Sequence, residues 1–315
     1  MKQATDVFVP PLRDGVAASR VGVGDGRFAT LLAFLVARFP AVADWPARLA
    51  RGDVLDADGR PLAANAPCLA GSLVWYFRDP PPEPRVPFEL ELLHEDEHLV
   101  VVDKPHFLPA IPSGRHLRET VLVRLRQQLG IATLAPMHRL DRETAGVLVF
   151  TVRAEERGVY HALLRERAVA KVYEAIAPWR SDLALPLVAR HRLEKPDGAG
   201  FMQVQVVPGE PNSEARVELV ERIGDEHALY RLAPRTGRTH QLRVQMNALG
   251  LPIVGDRIYP TLWPEPAPDA PPDWSHPLQL LAREISFADP VTGETRRFVS
   301  RRRLALGEPG RLASP

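Results

Sequence analysis

Residues 136–150 read Pro136-Met-His-Arg-Leu-Asp-Arg-Glu-Thr-Ala-Gly-Val-Leu-Val-Phe150. The run from Val147 to Thr151 is apolar and β-branched, with the length of a strand buried on both faces. A polar loop leads into it, and Gly146 suits a tight backbone position where the two join. That loop carries one aspartate, Asp141, between Arg139 and Arg142. A loop aspartate either caps a turn and pairs with a neighbouring arginine, or is a reactive carboxylate held by a scaffold. Glycoside hydrolysis would need a second carboxylate, and Glu143 is the only close candidate in sequence.

Outward from this stretch, helices and strands intermix. Residues 89–103 suggest strands or a hairpin. Leu117 to Leu129 and Glu155 to Arg167 read as helices, and 171–177 (Lys-Val-Tyr-Glu-Ala-Ile-Ala) as a strand. Further strands are expected near 201–207, 215–222 and 228–233. Residues 238–250 place Leu242, Met246 and Leu249 on one helical face that ends at Gly250. No regular βαβ alternation is present, which points to an α+β domain.

The stretch 79–87 (Asp-Pro-Pro-Pro-Glu-Pro-Arg-Val-Pro) is too rich in proline for a helix interior or a central strand and reads as a stiff connector. It separates a small module (21–78) from a larger domain (88–304), with flexible ends at 1–20 and 305–315. In the small module Phe28, Leu31, Leu32 and Leu35 recur at helical spacing. A short helix is expected over Trp45 to Ala50, a turn at Ala57-Asp58-Gly59 and a strand over 73–77. A second proline-rich stretch, 260–277, reads as a surface loop.

The formal net charge of +1 means that affinity for a polyanion must come from local clustering, if at all. The single cysteine, Cys68, excludes an intramolecular disulfide framework, a CxxC redox pair and a structural zinc cluster, and fits a cytoplasmic setting. The N-terminus lacks the apolar core of a signal peptide. The longest apolar run, residues 28–37, is about half a membrane span, so no membrane partner is expected.

Two more clusters could carry chemistry. Pro234-Arg-Thr-Gly-Arg-Thr-His-Gln-Leu-Arg243 combines a turn, a helix start and three arginines. It reads either as a phosphate site or as a solvated basic helix. Its His240 and Arg243 are three apart and would share a face. Lys171-Val-Tyr173 places a tyrosine on a strand, where it is either core or catalytic.

The order and spacing of these pieces are distinctive: His138-Arg-Leu-Asp141 with Gly146, then Lys171-Val-Tyr173, then 236–259 (TGRTHQLRVQMNALGLPIVGDRIY). Together they resemble the RluA-like family of RNA pseudouridine synthases, whose members isomerise uridine in ribosomal and transfer RNA. The likeness runs from Glu89 to Val299 and takes in 95–105 (EDEHLVVVDKP) and 280–294 (LLAREISFADPVTGE). It implies a mixed, mainly antiparallel central sheet flanked by helices and loops. It also implies Asp141 as nucleophile, Arg243 as its ion-pair partner and Tyr173 as the active-site tyrosine. His138, Arg139, Arg142, Thr144, Arg238, Thr239, His240 and Lys104 become candidate RNA contacts, and the run Arg301 to Arg303 is either a phosphate contact or a solvated tail. An isomerisation needs no cofactor and no metal. The expected partner is an rRNA or tRNA stem-loop, bound by a monomer. The small module more faintly resembles an α/β RNA-binding module through Arg27 to Leu32, Ala50 to Asp56 and Gly59. Four positions depart from the common family pattern, at Ala145, Gln245, Leu281 and Asp289, and are expected to bear on substrate detail. A protein that kept this fold and lost catalysis would act instead as an RNA-binding or RNA-folding factor.

Overall fold

The computed structural model describes residues 8–78, 82–196, 203–264 and 270–305. The chain divides into two compact units, Met1–Glu83 and Pro84–Pro315. Parts of the expected connector (79–81), of the expected 201–207 strand (201–202) and of the proline-rich loop (265–269) lie outside the described residues, as do 1–7 and 306–315 of the two ends. No helix among the described residues is long and apolar enough to cross a membrane.

In the first unit, β1 (Ser19–Gly22), β2 (Val54–Leu55) and β3 (Leu73–Tyr76) form a sheet in the order β1-β3-β2. Helix α1 (Leu31–Arg38) starts where the Thr30 hydroxyl accepts the Ala33 N–H at 3.3 Å. Helix α2 (Trp45–Ala50) carries Pro46 in its first turn, where a missing N–H costs no helical hydrogen bond. Leu31, Leu35, Trp45, Leu49, Val54 and Val74 close a core of their own. Arg48 is buried, held by Asp44 at 2.8 Å and by the Phe77 carbonyl at 2.9 Å.

The second unit is built on one sheet. Its elements in chain order are β4 (Glu91–Glu95), β5 (Leu99–Lys104), α3 (Val121–Leu129), β6 (Ala135–Pro136), β7 (Ala145–Thr151), α4 (Arg157–Arg165) and β8 (Ala170–Pro178). There follow β9 (Leu187–Glu194), β10 (Gln205–Val207), β11 (Ser213–Ile223), β12 (His227–Pro234), α5 (Gln241–Ala248), β13 (Leu280–Ala288) and β14 (Thr295–Val299). The strand order is β10-β9-β11-β12-β8-β13-β7-β5-β4, with β14 on β13 and β6 on β7. The pairing is antiparallel except between β7 and β13, which run parallel.

Strand β7 is buried along its whole length because each face meets a different core. Leu148 and Phe150 join Val100, Val102 and α3 on one side, while Val147 and Val149 join Leu99, Val101 and Tyr160 on the other. The first of these faces continues past β13 to a third cluster under α5, built from β8, β11 and β12. Tyr173 on β8 packs against both cores of that face.

Two helices begin later than their sequence patterns suggest. Helix α3 starts at Val121 because Thr120 takes an extended backbone and accepts the Val123 N–H at 3.3 Å. Helix α5 starts at Gln241 because His240 sits at φ 52°, in the left-handed region.

Candidate active site

The loop between β6 and β7 carries Asp141. The backbone closes there through the Thr144 N–H, which donates to the Asp141 carbonyl at 3.1 Å. Three side chains pin it from below. Lys104 is fully buried, and its ammonium donates to the carbonyls of Leu108 (2.7 Å), Arg142 (2.9 Å) and Pro105 (3.0 Å). Those three acceptors use all of its donors. Burial pulls its pKa down to about 7, against the charges of Glu143 and Asp141. The His106 Nδ1–H donates to the Glu143 carbonyl at 2.7 Å, and burial lowers that ring to about 4. His138 Nε2 accepts the Val149 N–H at 3.3 Å, and burial, followed by the Lys171 charge, lowers it to about 3.

These contacts correct two of the expected RNA contacts. Lys104 is committed to backbone carbonyls and cannot reach a phosphate, and Thr144 is 3% exposed. Both shape the loop from within. His138 is half-buried and gives its Nε2 to the β7 backbone. Arg142 pairs with Glu143 at 2.8 Å and meets His116 at 3.3 Å, while Arg139 is exposed to solvent.

Gly146 explains how the loop comes beside Tyr173. It sits at φ 110°, and a Cβ there would lie 2.2 Å from the Ala282 carbonyl oxygen. No other residue allows β7 to approach β13 this closely. Ala282 pairs with Gly146 on one side and with Tyr173 on the other. Burial, and then the charge of Asp141, raise the Tyr173 phenol pKa above its ordinary value. The hydroxyl is therefore neutral across the physiological range.

Arg243 is supplied by α5 and is 2% exposed. Its Nη1 lies 3.4 Å from Asp141 Oδ2. Its other edge grips Asp256, through Nε to Oδ2 at 2.7 Å and Nη2 to Oδ1 at 2.6 Å. Burial works against the charged guanidinium, but Asp256 and Asp141 outweigh it and leave its pKa raised. Asp256 also accepts the N–H groups of Ile258 (2.8 Å) and Tyr259 (3.0 Å). Sequence reasoning missed Asp256, although it lies in the quoted 236–259 stretch. The available signal was that a buried arginine serving an open carboxylate needs a second, closed one.

His240 precedes α5 rather than sharing a helical face with Arg243, yet both meet the same oxygen. His240 Nε2 lies 3.9 Å from Asp141 Oδ2, and its Nδ1 is 3.1 Å from the Tyr259 hydroxyl. The turn before it is less open than its sequence suggests. The Arg238 N–H donates to Gln241 Oε1 at 3.1 Å, and its Nε donates to the Asn212 carbonyl at 3.3 Å. The guanidinium of Arg238 and the side chain of Thr239 are nonetheless exposed.

Two further expectations change. Ala145, Gln245, Leu281 and Asp289 are all at most 2% exposed. Gln245 donates to the Ala189 carbonyl at 3.0 Å, and Asp289 accepts the Tyr160 hydroxyl at 2.9 Å. The four departures from the family pattern thus repack the interior instead of facing a substrate. Nor is the run at 301–303 a loose tail. Buried Asp103 accepts the Ser300 hydroxyl at 2.8 Å, the Arg301 N–H at 2.7 Å and the Arg302 N–H at 3.3 Å.

Residues 98–248 match the family model described as RNA pseudouridylate synthase. The dual-specificity RNA pseudouridine synthase RluA of Escherichia coli (strain K12) is 35% identical over 226 residues, covering 70% of this chain and 94% of the relative. An uncharacterized RNA pseudouridine synthase of Synechocystis sp. is 32% identical over 219 residues, covering 68% of this chain and 73% of the relative. Among solved structures, human RNA pseudouridylate synthase domain containing 1 superposes with a TM-score of 0.54 at 23% identity, over 70% of this chain and 86% of that one. At that identity the likeness speaks for the fold.

Proposed function

This chain belongs to the family of RNA pseudouridine synthases related to RluA, and from that premise we propose that Asp141 attacks a flipped-out uridine of ribosomal or transfer RNA. The reaction breaks N1–C1′, turns the base and joins C5 to C1′. The hydrogen leaves C5, N1 ends protonated, and no redox partner is needed.

The observation that carries this reading is the unequal sharing of Arg243. Asp256 locks the guanidinium, and the free Nη1 then meets Asp141 in a fixed place. A carboxylate oriented this way and still open to solvent suits nucleophilic attack, at C1′ or at C6, or proton abstraction. Arg243 keeps it aimed. Unstacking the uridine costs a few kcal/mol. A stacked aromatic face returns about 1–3 kcal/mol per base, and Tyr173 is our candidate for that ring. Its neutral phenol suits stacking and hydrogen bonding, which leaves the C5 proton to a carboxylate. Arg139, Arg238 and Thr239 are exposed and available to the RNA backbone, a contribution to affinity rather than to sequence choice.

Pseudouridine maps of RNA from cells with and without this gene test the proposal. The expected result is one or a few uridines that lose modification with the gene and regain it when purified protein is added. Identical maps, with no conversion by the purified protein, would make it an RNA-binding factor on the same fold.

A further inference from the structure

Lys171 stands two residues before Tyr173 on β8, so strand alternation puts both side chains on one face of the sheet. That face is the one from which Tyr173 senses the charge of Asp141. The Lys171 ammonium lies 3.6 Å from where a Cβ on Gly237 would stand, which sets it against the turn that leads into α5. Its charge also reaches His138, under the Asp141 loop. The ammonium therefore stands against the Gly237 turn, with its charge felt at His138 in the segment that leads to Asp141.

What sets Lys171 apart is the lack of a counter-charge among the described residues. The other buried or half-buried cations nearby are all spent: Lys104 on three carbonyls, Arg142 on Glu143, Arg243 on two aspartates. Among the described residues no hydrogen bond or ion pair ends on the Lys171 ammonium. Burial alone lowers its pKa, with no carboxylate opposing the shift. A half-buried cation without a partner is costly to keep in a folded protein, and an anion brought by a ligand would relieve that cost.

We propose that Lys171 is an RNA-phosphate-binding residue, taking a backbone phosphate of the strand that carries the target uridine at the cleft between the Asp141 loop and the Gly237 turn. This rests on the reading of the site as one that binds RNA. Phosphate is favoured over the uracil ring because it is the permanent anion of the substrate, and because the partnerless ammonium faces a backbone turn.

Counterion release gives a readout that a structural lysine would not move. Each phosphate neutralised on single-stranded RNA contributes about 0.7 to the slope of log affinity against log salt. Filter binding of the wild-type chain, Lys171→Gln and Lys171→Arg to a transcript of the mapped target should be measured between about 50 and 300 mM salt. The Gln variant should bind several-fold more weakly at low salt, with a slope shallower by about 0.7, and the Arg variant should keep the wild-type slope. On the native protein, amine acylation of Lys171 read by mass spectrometry should be suppressed by that transcript, which covers the case of a Gln variant that does not fold. An unchanged slope, an Arg variant as impaired as Gln, or labelling indifferent to RNA would each overturn the assignment. A Gln variant that loses turnover with its salt slope intact would mean contact with the base instead, and would overturn it too. If wild-type protein forms no pseudouridine while these binding results hold, the catalytic reading fails and the phosphate contact stands.

Discussion

Arg243 touches two carboxylates, and they are opposites. Asp256 is buried, and both its oxygens are used, by the guanidinium and by the N–H groups of Ile258 and Tyr259. Asp141 is about one-third exposed, meets Arg243 at 3.4 Å through one oxygen, and has His240 Nε2 at 3.9 Å from that same oxygen. The closed carboxylate fixes where the arginine points. The open one is left with lone pairs free for chemistry. A single cation thus serves one closed and one open carboxylate, because a planar guanidinium can be gripped along one edge and still offer a donor on the other.

Replacing each carboxylate should break this contrast in a different way. Asp141→Asn is expected to lower pseudouridine formation by about a thousandfold or more, since the amide is no nucleophile. Its unfolding free energy should stay within about 0.5 kcal/mol of wild type, as for an exposed site with one long contact. A pseudouridine assay beside urea denaturation measures both, and substantial residual turnover would sink the nucleophile assignment. Asp256→Ala should show the reverse emphasis. It leaves a buried guanidinium without its main partner, so the urea midpoint should fall by the equivalent of about 3–5 kcal/mol. Turnover should fall as well, through a misplaced Arg243. Stability within about 1 kcal/mol of wild type would mean that Asp256 is not the scaffold.

The same contrast runs through what could be read from the sequence. Strand β7 was legible because its apolar run is longer than a loop would tolerate and both its faces meet a core. Asp141, Tyr173 and Arg243 could be brought together from the sequence only through their family resemblance, since 102 residues separate the ion pair. Strand β9 escaped notice because Leu187-Val-Ala-Arg-His-Arg-Leu-Glu194 carries charges and leaves Val188 exposed near the sheet edge. Lys104 was misread because a lysine close to a basic motif looks solvated. Two of its carbonyl partners, Pro105 and Leu108, are local, but Arg142 comes from the Asp141 loop, which only the folded chain brings over the ammonium. Asp256 was missed for the same reason, its role being defined by burial. Open groups announce themselves through motifs, whereas closed ones depend on tertiary placement.

The smallest expected effect tests the closed side of the Asp141 loop through pH. His138 and His106 titrate near 3 and 4 in the folded chain, against an ordinary value of 6.5. Because the folded values are depressed, the unfolded chain takes up protons below about 6.5 that the native chain refuses. Stability is therefore full above that pH and is lost as the pH falls towards 4. Each histidine contributes at most about 1.4 kcal/mol per pH unit in that window. The comparison belongs between about 6.5 and 4.5, because Asp96, held near 2 despite its burial by hydrogen bonds from Leu99 and His94, loses stability in the same direction at lower pH. His138→Gln keeps an acceptor for the Val149 N–H and removes one titrating group, so its urea midpoint should decline less steeply with acid than that of wild type. Equal slopes for His138→Gln and wild type would show that His138 is not held neutral beneath the loop.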